Sequence, residues 1–190
     1  MATKSGRYWV SWANTNAKNS NSIEDLEPGF RACAQAFIQA LTEAGAEVTV
    51  CATRRCGKRA YLFHWSWKIS QDLCAPSEAE PMEGVSIRWD HGDLAQSAAG
   101  ALEMVRGFGL AMPPRCVNSP SLTSNHITGQ AIDMTINWQG TLKVRTKNGD
   151  EAAVPYLEDV NQNTLLHAVG ESYGAIKLVT DAPHWSYNGR

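Results

Sequence analysis

Between Pro28 and Ala44 the apolar residues Phe30, Cys33, Phe37, Ile38 and Leu41 recur largely at spacings of three and four, and from Glu47 the pattern switches to alternation. A period near 3.6 marks a helix with one apolar stripe, and a period of two marks a half-buried strand. Gly45 stands where a glycine closes a helix. The pattern therefore predicts a helix over 28–44 and a strand over 47–53, with Val48 and Val50 on one face. Both periods return further along. Tyr61, Leu62, Trp65 and Ile69 predict a helix over 57–69, and Ala98, Leu102 and Val105 one over 94–108. Residues 131–138 alternate and read as a strand. Asn148-Gly149 lies between the short β-prone runs 142–145 and 152–154, which is a strong hairpin signal. Pro155 to Glu171 reads as a fourth helix, opened by its proline. Short strands are expected at 175–179 and 184–187, and loops at 14–27 and 74–85. Helices segregated around a small, mostly antiparallel sheet make an α+β fold with about four helices.

A length of 190 residues suits one domain, 1–190, with the polar segment 1–27 as part of it. The formal net charge of −2 gives no basic excess for phosphate backbones, so nucleic acid is not an expected partner. No run approaches the roughly 20 apolar residues of a spanning helix. The polar start, Met1 to Arg7, shows no secretory h-region, which implies synthesis in the cytoplasm and any action outside by another export route. The cysteines, 33, 51, 56, 74 and 116, form no CxxC pair, so a zinc ribbon or thioredoxin motif is not expected. Most are read as small buried hydrophobes, with one or two disulfides, such as Cys56 with Cys74, left open.

Chemistry concentrates in two places. Residues 124–133 read Ser-Asn-His-Ile-Thr-Gly-Gln-Ala-Ile-Asp, with Gly129 placed to turn the chain between His126 and Asp133. Asp133 enters an apolar strand, where a carboxylate is costly unless paired or metal-bound. Near the end comes Asp181-Ala-Pro-His184-Trp185, in which Pro183 restricts the orientation of His184. Two imidazoles and a carboxylate are a three-ligand set for catalytic zinc with a fourth position open. Asp181, three residues before His184, is placed to act as general base without being a ligand. Ser124 either contacts substrate or hydrogen-bonds its own loop. Trp185 adjoins a proposed ligand and is read as lining the cleft.

The run Ser124-x-His126-x-x-Gly129-x-Ala131-x-Asp133 resembles the signature of the D-alanyl-D-alanine carboxypeptidase family of zinc peptidases, which includes D,D-dipeptidases and L-alanyl-D-glutamate endopeptidases. Asp181-x-x-His184-Trp185 is similar to its second signature, with Asp in place of the more frequent Glu. The two motifs cover about 15 residues. The resemblance implies a Hedgehog-type fold, Zn2+ on His126, Asp133 and His184, Asp181 as base, and a peptidoglycan stem peptide as substrate. It also implies an arginine after a strand that binds the scissile carbonyl or the substrate carboxylate. Arg54 is the first choice for that place, because Leu62 then falls at the expected helical position, and Arg55 is the alternative, since the family's flanking Tyr and Ser are missing; Arg59 replaces its usual Gln. The expected roles are a lytic enzyme, such as an endolysin or an exported antibacterial toxin with a delivery or immunity partner, or a cytoplasmic D,D-dipeptidase. A non-catalytic module with the same site is the other class, and it would not need Asp181. His64 and His167 are read as packing residues within helices, and His91 as loop surface.

Overall fold

The computed structural model describes residues 2–190. In chain order it forms β1 (Thr3–Lys4), α1 (Arg7–Asn16), α2 (Pro28–Glu43), β2 (Glu47–Ala52), α3 (Gly57–Ser70), β3 (Ile87–Arg88) and α4 (Leu94–Phe108). There follow α5 (Asn125–Thr128), β4 (Ala131–Asn137), β5 (Thr141–Arg145), β6 (Glu151–Pro155), α6 (Thr164–Tyr173), β7 (Ile176–Lys177) and β8 (His184–Ser186). The fold is α+β. The elements fall into two compact units, each discontinuous in sequence: the chain up to Lys18 with Cys56–Thr123, and Asn19–Arg55 with Ser124–Arg190. No helix among the described residues is long and apolar enough to cross a membrane.

The first unit is helical, with one short parallel pair, β1 with β3. Its core joins α1, α3 and α4 through Trp9, Ala13, Leu62, Trp65, Ala101 and Met104. The indole N–H of Trp89 donates to the Tyr61 hydroxyl at 3.1 Å, so the buried polar tip of each is used. α4 has the predicted bounds because both ends are capped. The Asp93 carboxylate accepts the Gln96 N–H at 2.8 Å, and Gly109 closes the helix at φ 68°. α1 was not anticipated. Its stripe of Trp9, Ala13 and Ala17 has helical spacing, but its end overlaps the Asn- and Ser-rich run 14–27 that reads as a loop.

The second unit carries an antiparallel sheet in the order β2-β4-β8-β7, with the β5–β6 hairpin beside it. α2 opens at Pro28 after Glu27, whose carboxylate accepts the Phe30 N–H at 3.0 Å. Phe30, Ala34, Phe37 and Leu41 form the stripe that α2 buries, in one core with Ile132, Met134, Ile136, Leu166, Val169 and Trp185. The alternation of β4 turns Ile132, Met134 and Ile136 into that core and leaves Asp133, Thr135 and Asn137 on the opposite face. The predicted hairpin is present, with Leu142 opposite Val154 and Gly149 at φ 93°.

Three expectations are revised. The fourth helix begins at Thr164 rather than Pro155. Pro155 ends β6, and buried Asn163 starts the helix by accepting the Leu166 N–H at 3.1 Å while its amide donates to the Pro155 carbonyl at 2.9 Å. Among the described residues there are six α-helices, because α1 and the single turn α5 add to the four expected. The cysteines are not buried hydrophobes: Cys51 is exposed and the other four are half-buried.

One glycine fixes the packing behind the sheet. A Cβ on Gly170 would lie 2.5 Å from Cζ3 of Trp185 and 2.8 Å from the Ala175 carbonyl oxygen. The ring is held in the core against Phe37 at 5.0 Å, so it cannot move aside freely. Gly170→Ala is expected to destabilise by about 1–3 kcal/mol through overpacking, despite the roughly 1 kcal/mol that alanine gains in helix propensity. Urea unfolding checks this, and an unchanged midpoint would mean that the Trp185 pocket yields.

Candidate metal centre

His126, Asp133 and His184 come from three separate elements of the second unit. Ser124 caps α5 by accepting the His126 N–H at 3.3 Å, so of its two readings the loop-holding one is realised. His126 follows within that single turn. Gly129 ends the turn at φ 74°, and a Cβ there would meet the Glu27 backbone nitrogen at 2.8 Å. That nitrogen donates to the Gly129 carbonyl, which ties the turn to the start of α2. The chain then enters β4, where Asp133 pairs in register with His184 of β8 and with Ala52 of β2. Sheet pairing thus sets two of the three candidate ligands side by side.

The three side chains converge. Nε2 of His126 lies 3.1 Å from Oδ1 of Asp133 and 3.1 Å from Nδ1 of His184, and that Nδ1 lies 3.2 Å from the same Oδ1. These separations are close to the about 3.3 Å edge of a tetrahedron with bonds of ~2.0 Å. The outward ring nitrogens define the chemistry of the inward ones. Nδ1 of His126 faces the Thr53 carbonyl at 2.6 Å, and Nε2 of His184 faces the backbone oxygen of Arg190 at 3.1 Å. A backbone oxygen only accepts, so each outward nitrogen carries the ring N–H and each neutral imidazole turns a lone pair inward. Burial alone would raise the Asp133 carboxyl, but a proton on either inward ring nitrogen, standing where a metal ion would, outweighs it through hydrogen bonding and charge and holds the group well below the usual carboxylate range. Two lone pairs and an anionic oxygen at this spacing repel one another unless a cation lies among them. The group can hold a metal ion.

No family model, no curated protein and no solved structure matches the chain. The site therefore stands on its own geometry.

The remaining candidates lie around this centre. Asp181 is exposed, and its carboxylate stands outside the three-atom cluster. Its backbone belongs to the ligand turn, since the Asp181 carbonyl accepts the His184 N–H at 3.1 Å. Arg55 donates its backbone N–H to the His126 carbonyl at 2.9 Å, whereas Arg54 is exposed and its carbonyl accepts from Ser20. Backbone placement thus brings Arg55 against the ligand segment. Trp185 is 1% exposed and belongs to the core, while it also lines a groove that reaches Asp133. His167 donates to or accepts from nothing in the centre; its Nε2 faces the Val160 carbonyl at 2.7 Å.

Lys177 was missed in the sequence reading, yet it pins the turn that carries His184. Its buried ammonium donates to the carbonyls of Leu178 at 2.6 Å, Asp181 at 2.5 Å and His184 at 3.3 Å, and lies 5.7 Å from the Trp185 ring. A lysine two residues after buried Ala175, in a strand, was the available signal. Burial pushes its pKa down to about 8, against the opposing pull of Asp181, Asp133 and Asp159. Above that pH the folded protein releases a proton that the unfolded chain keeps until about 10.5, so this group makes stability rise with pH across that window. Lys177→Met is expected to cost about 1–3 kcal/mol at pH 7 by leaving carbonyls without a donor. It should also abolish that part of the alkaline slope. Thermal melts of both proteins between pH 7 and 10 check this, and parallel curves would refute it.

Proposed function

We propose that the protein is a zinc-dependent peptidase acting on a stem-peptide amide bond of bacterial peptidoglycan. The observation that carries the reading is the inward set of three acceptors, each imidazole having its N–H already used on a backbone oxygen. Mixed imidazole and carboxylate ligation suits zinc, and three protein ligands leave a position for water or substrate. The motif resemblance, Ser124-x-His126-x-x-Gly129-x-Ala131-x-Asp133 with Asp181-x-x-His184-Trp185, supplies the substrate class and the expectation of a Hedgehog-type arrangement.

His126, Asp133 and His184 would hold the ion. When bound, such an ion polarises a carbonyl and lowers the pKa of water to about 7. Asp181, on the ligand turn but outside the ligand set, takes a proton from the attacking water and delivers it to the departing amine. Arg55, or Arg54 in its place, hydrogen-bonds the oxygen on which negative charge develops. Lys177 holds the turn that carries both Asp181 and His184.

The test is digestion of purified peptidoglycan by protein that is zinc-loaded, chelator-stripped, or stripped and resupplied with zinc. Mass spectrometry is expected to find free D-Ala, or peptides with a new amino-terminal D-residue, in the first and third samples alone. Equal products in the stripped sample, or none with zinc, cobalt or manganese, would overturn the reading.

A further inference from the structure

β4 is paired on both sides only as far as Asp133. On one side β2 accompanies it from Asp133 to Asn137, and on the other β8 stops at His184, opposite Asp133. One more bond, from the Met134 N–H to the Pro183 carbonyl at 2.8 Å, extends the second side. In a strand the N–H and C=O of one residue point the same way and alternate between neighbours. Met134 therefore faces the β8 side, and so does Ile136. Among the described residues, the Met134 carbonyl and both backbone groups of Ile136 have no partner on that side. Exposed strand edges of this kind are templates for an added strand.

This edge is one wall of a groove of about 450 Å³. Tyr156, Leu157, Glu158 and Val160 form part of the lining, and Asp133 is the member that belongs to the candidate centre. The two ligand histidines are buried, whereas the Asp133 side chain is 19% exposed, so the groove reaches the centre through Asp133. The lining contains two carboxylates, Asp133 and Glu158, and no Lys, Arg or His. Glu158 is exposed and has no ion-pair partner among the described residues.

We propose that the open edge of β4 seats the substrate peptide as an added strand, in the row that β8 vacates, with an amine-bearing side chain drawn to Glu158. This rests on the peptidase reading and gives it a binding mode. Residues 134–137 offer about 13 Å of strand, enough for three or four residues of extended peptide. One end of that strand abuts Asp133, so a carbonyl there lies at the centre while the rest of the peptide is held by main-chain bonds. The acidic, cation-free lining favours a basic residue over an acidic one.

The probe is the pentapeptide L-Ala-γ-D-Glu-L-Lys-D-Ala-D-Ala, titrated calorimetrically into the zinc-loaded Asp181→Asn protein. Three versions carry an N-methyl group on the amide of Lys or of either D-Ala, and a fourth has an acetylated lysine amine. Alternation predicts that N-methylation weakens binding about tenfold at one or two of those amides, with an insensitive amide adjacent to a sensitive one. Acetylation is expected to weaken binding about fivefold in this protein and not when Glu158→Gln is added. Equal affinity for all N-methylated versions, or no binding at millimolar peptide, would overturn the strand mode. Cleavage of the pentapeptide by wild type is followed separately. Cleavage without N-methyl or acetyl sensitivity sinks the groove and leaves the peptidase standing. Sensitive binding without cleavage does the reverse.

Discussion

His126→Ala is expected to weaken zinc binding at the proposed centre by about two to three orders of magnitude while leaving a folded protein. Structural zinc sites with four ligands bind with roughly 10–16 kcal/mol, so one ligand is worth about 3–4 kcal/mol. At 1.4 kcal/mol per decade that is roughly a hundredfold to a thousandfold. The imidazole is 3% exposed, and its loss leaves the Thr53 carbonyl without its donor, so some stability is lost as well. The two effects separate in a melting experiment. Zinc is expected to raise the midpoint of wild type, as any ligand of the folded state does, and barely to raise that of the variant. His167→Ala is the control, since that ring is bonded to the Val160 carbonyl and is no member of the cluster, and its removal is expected to leave zinc binding intact. A wild-type affinity retained in His126→Ala would remove the metal centre from consideration.

Asp181→Asn is expected to lower the turnover of peptide cleavage by about 10²–10⁴, the usual worth of a positioned general acid–base. Zinc stoichiometry and affinity should stay at the wild-type level, because this carboxylate lies outside the ligand group. The fold should also hold. The contacts that tie residue 181 into the turn run through its backbone, to Lys177, Leu178 and His184, and asparagine keeps all of them. Product release from muropeptides, assayed beside metal analysis of the same preparation, separates the roles. A variant that cleaves at the wild-type rate would move the base elsewhere, and one that loses zinc would make residue 181 a ligand.

Much of this arrangement could be read from residue order, and the exceptions have physical causes. α2 and α4 were legible because stripe, cap and closing residue agree at each: Glu27, Pro28 and Phe30 at one start, Asp93 and Gly109 at the ends of the other. α1 was hidden because its apolar stripe is short and polar residues surround it. The start of α6 was misplaced because a proline at 155 fits a helix start as well as a strand end, and only buried Asn163 decides between them. His126, Asp133 and His184 were legible as a motif, and the sheet register explains why residues 51 positions apart meet. The orienting oxygens of Thr53 and Arg190 were not legible, because every residue has such an oxygen and only the fold selects two of them. The open edge of β4 was equally silent, since it depends on where a different strand stops.

The aim of both ligand imidazoles is written in the main chain. Side-chain truncation cannot delete an oxygen that belongs to the main chain itself. A saturation scan of this region would therefore score positions 53 and 190 by their packing alone and overlook what steers the rings. Such a scan would return a sparse map, three intolerant ligands amid permissive neighbours, for a centre whose alignment resists point substitution. Chemical replacement of the 53–54 amide by an ester, which weakens that acceptor without altering any side chain, is the kind of edit able to disturb it.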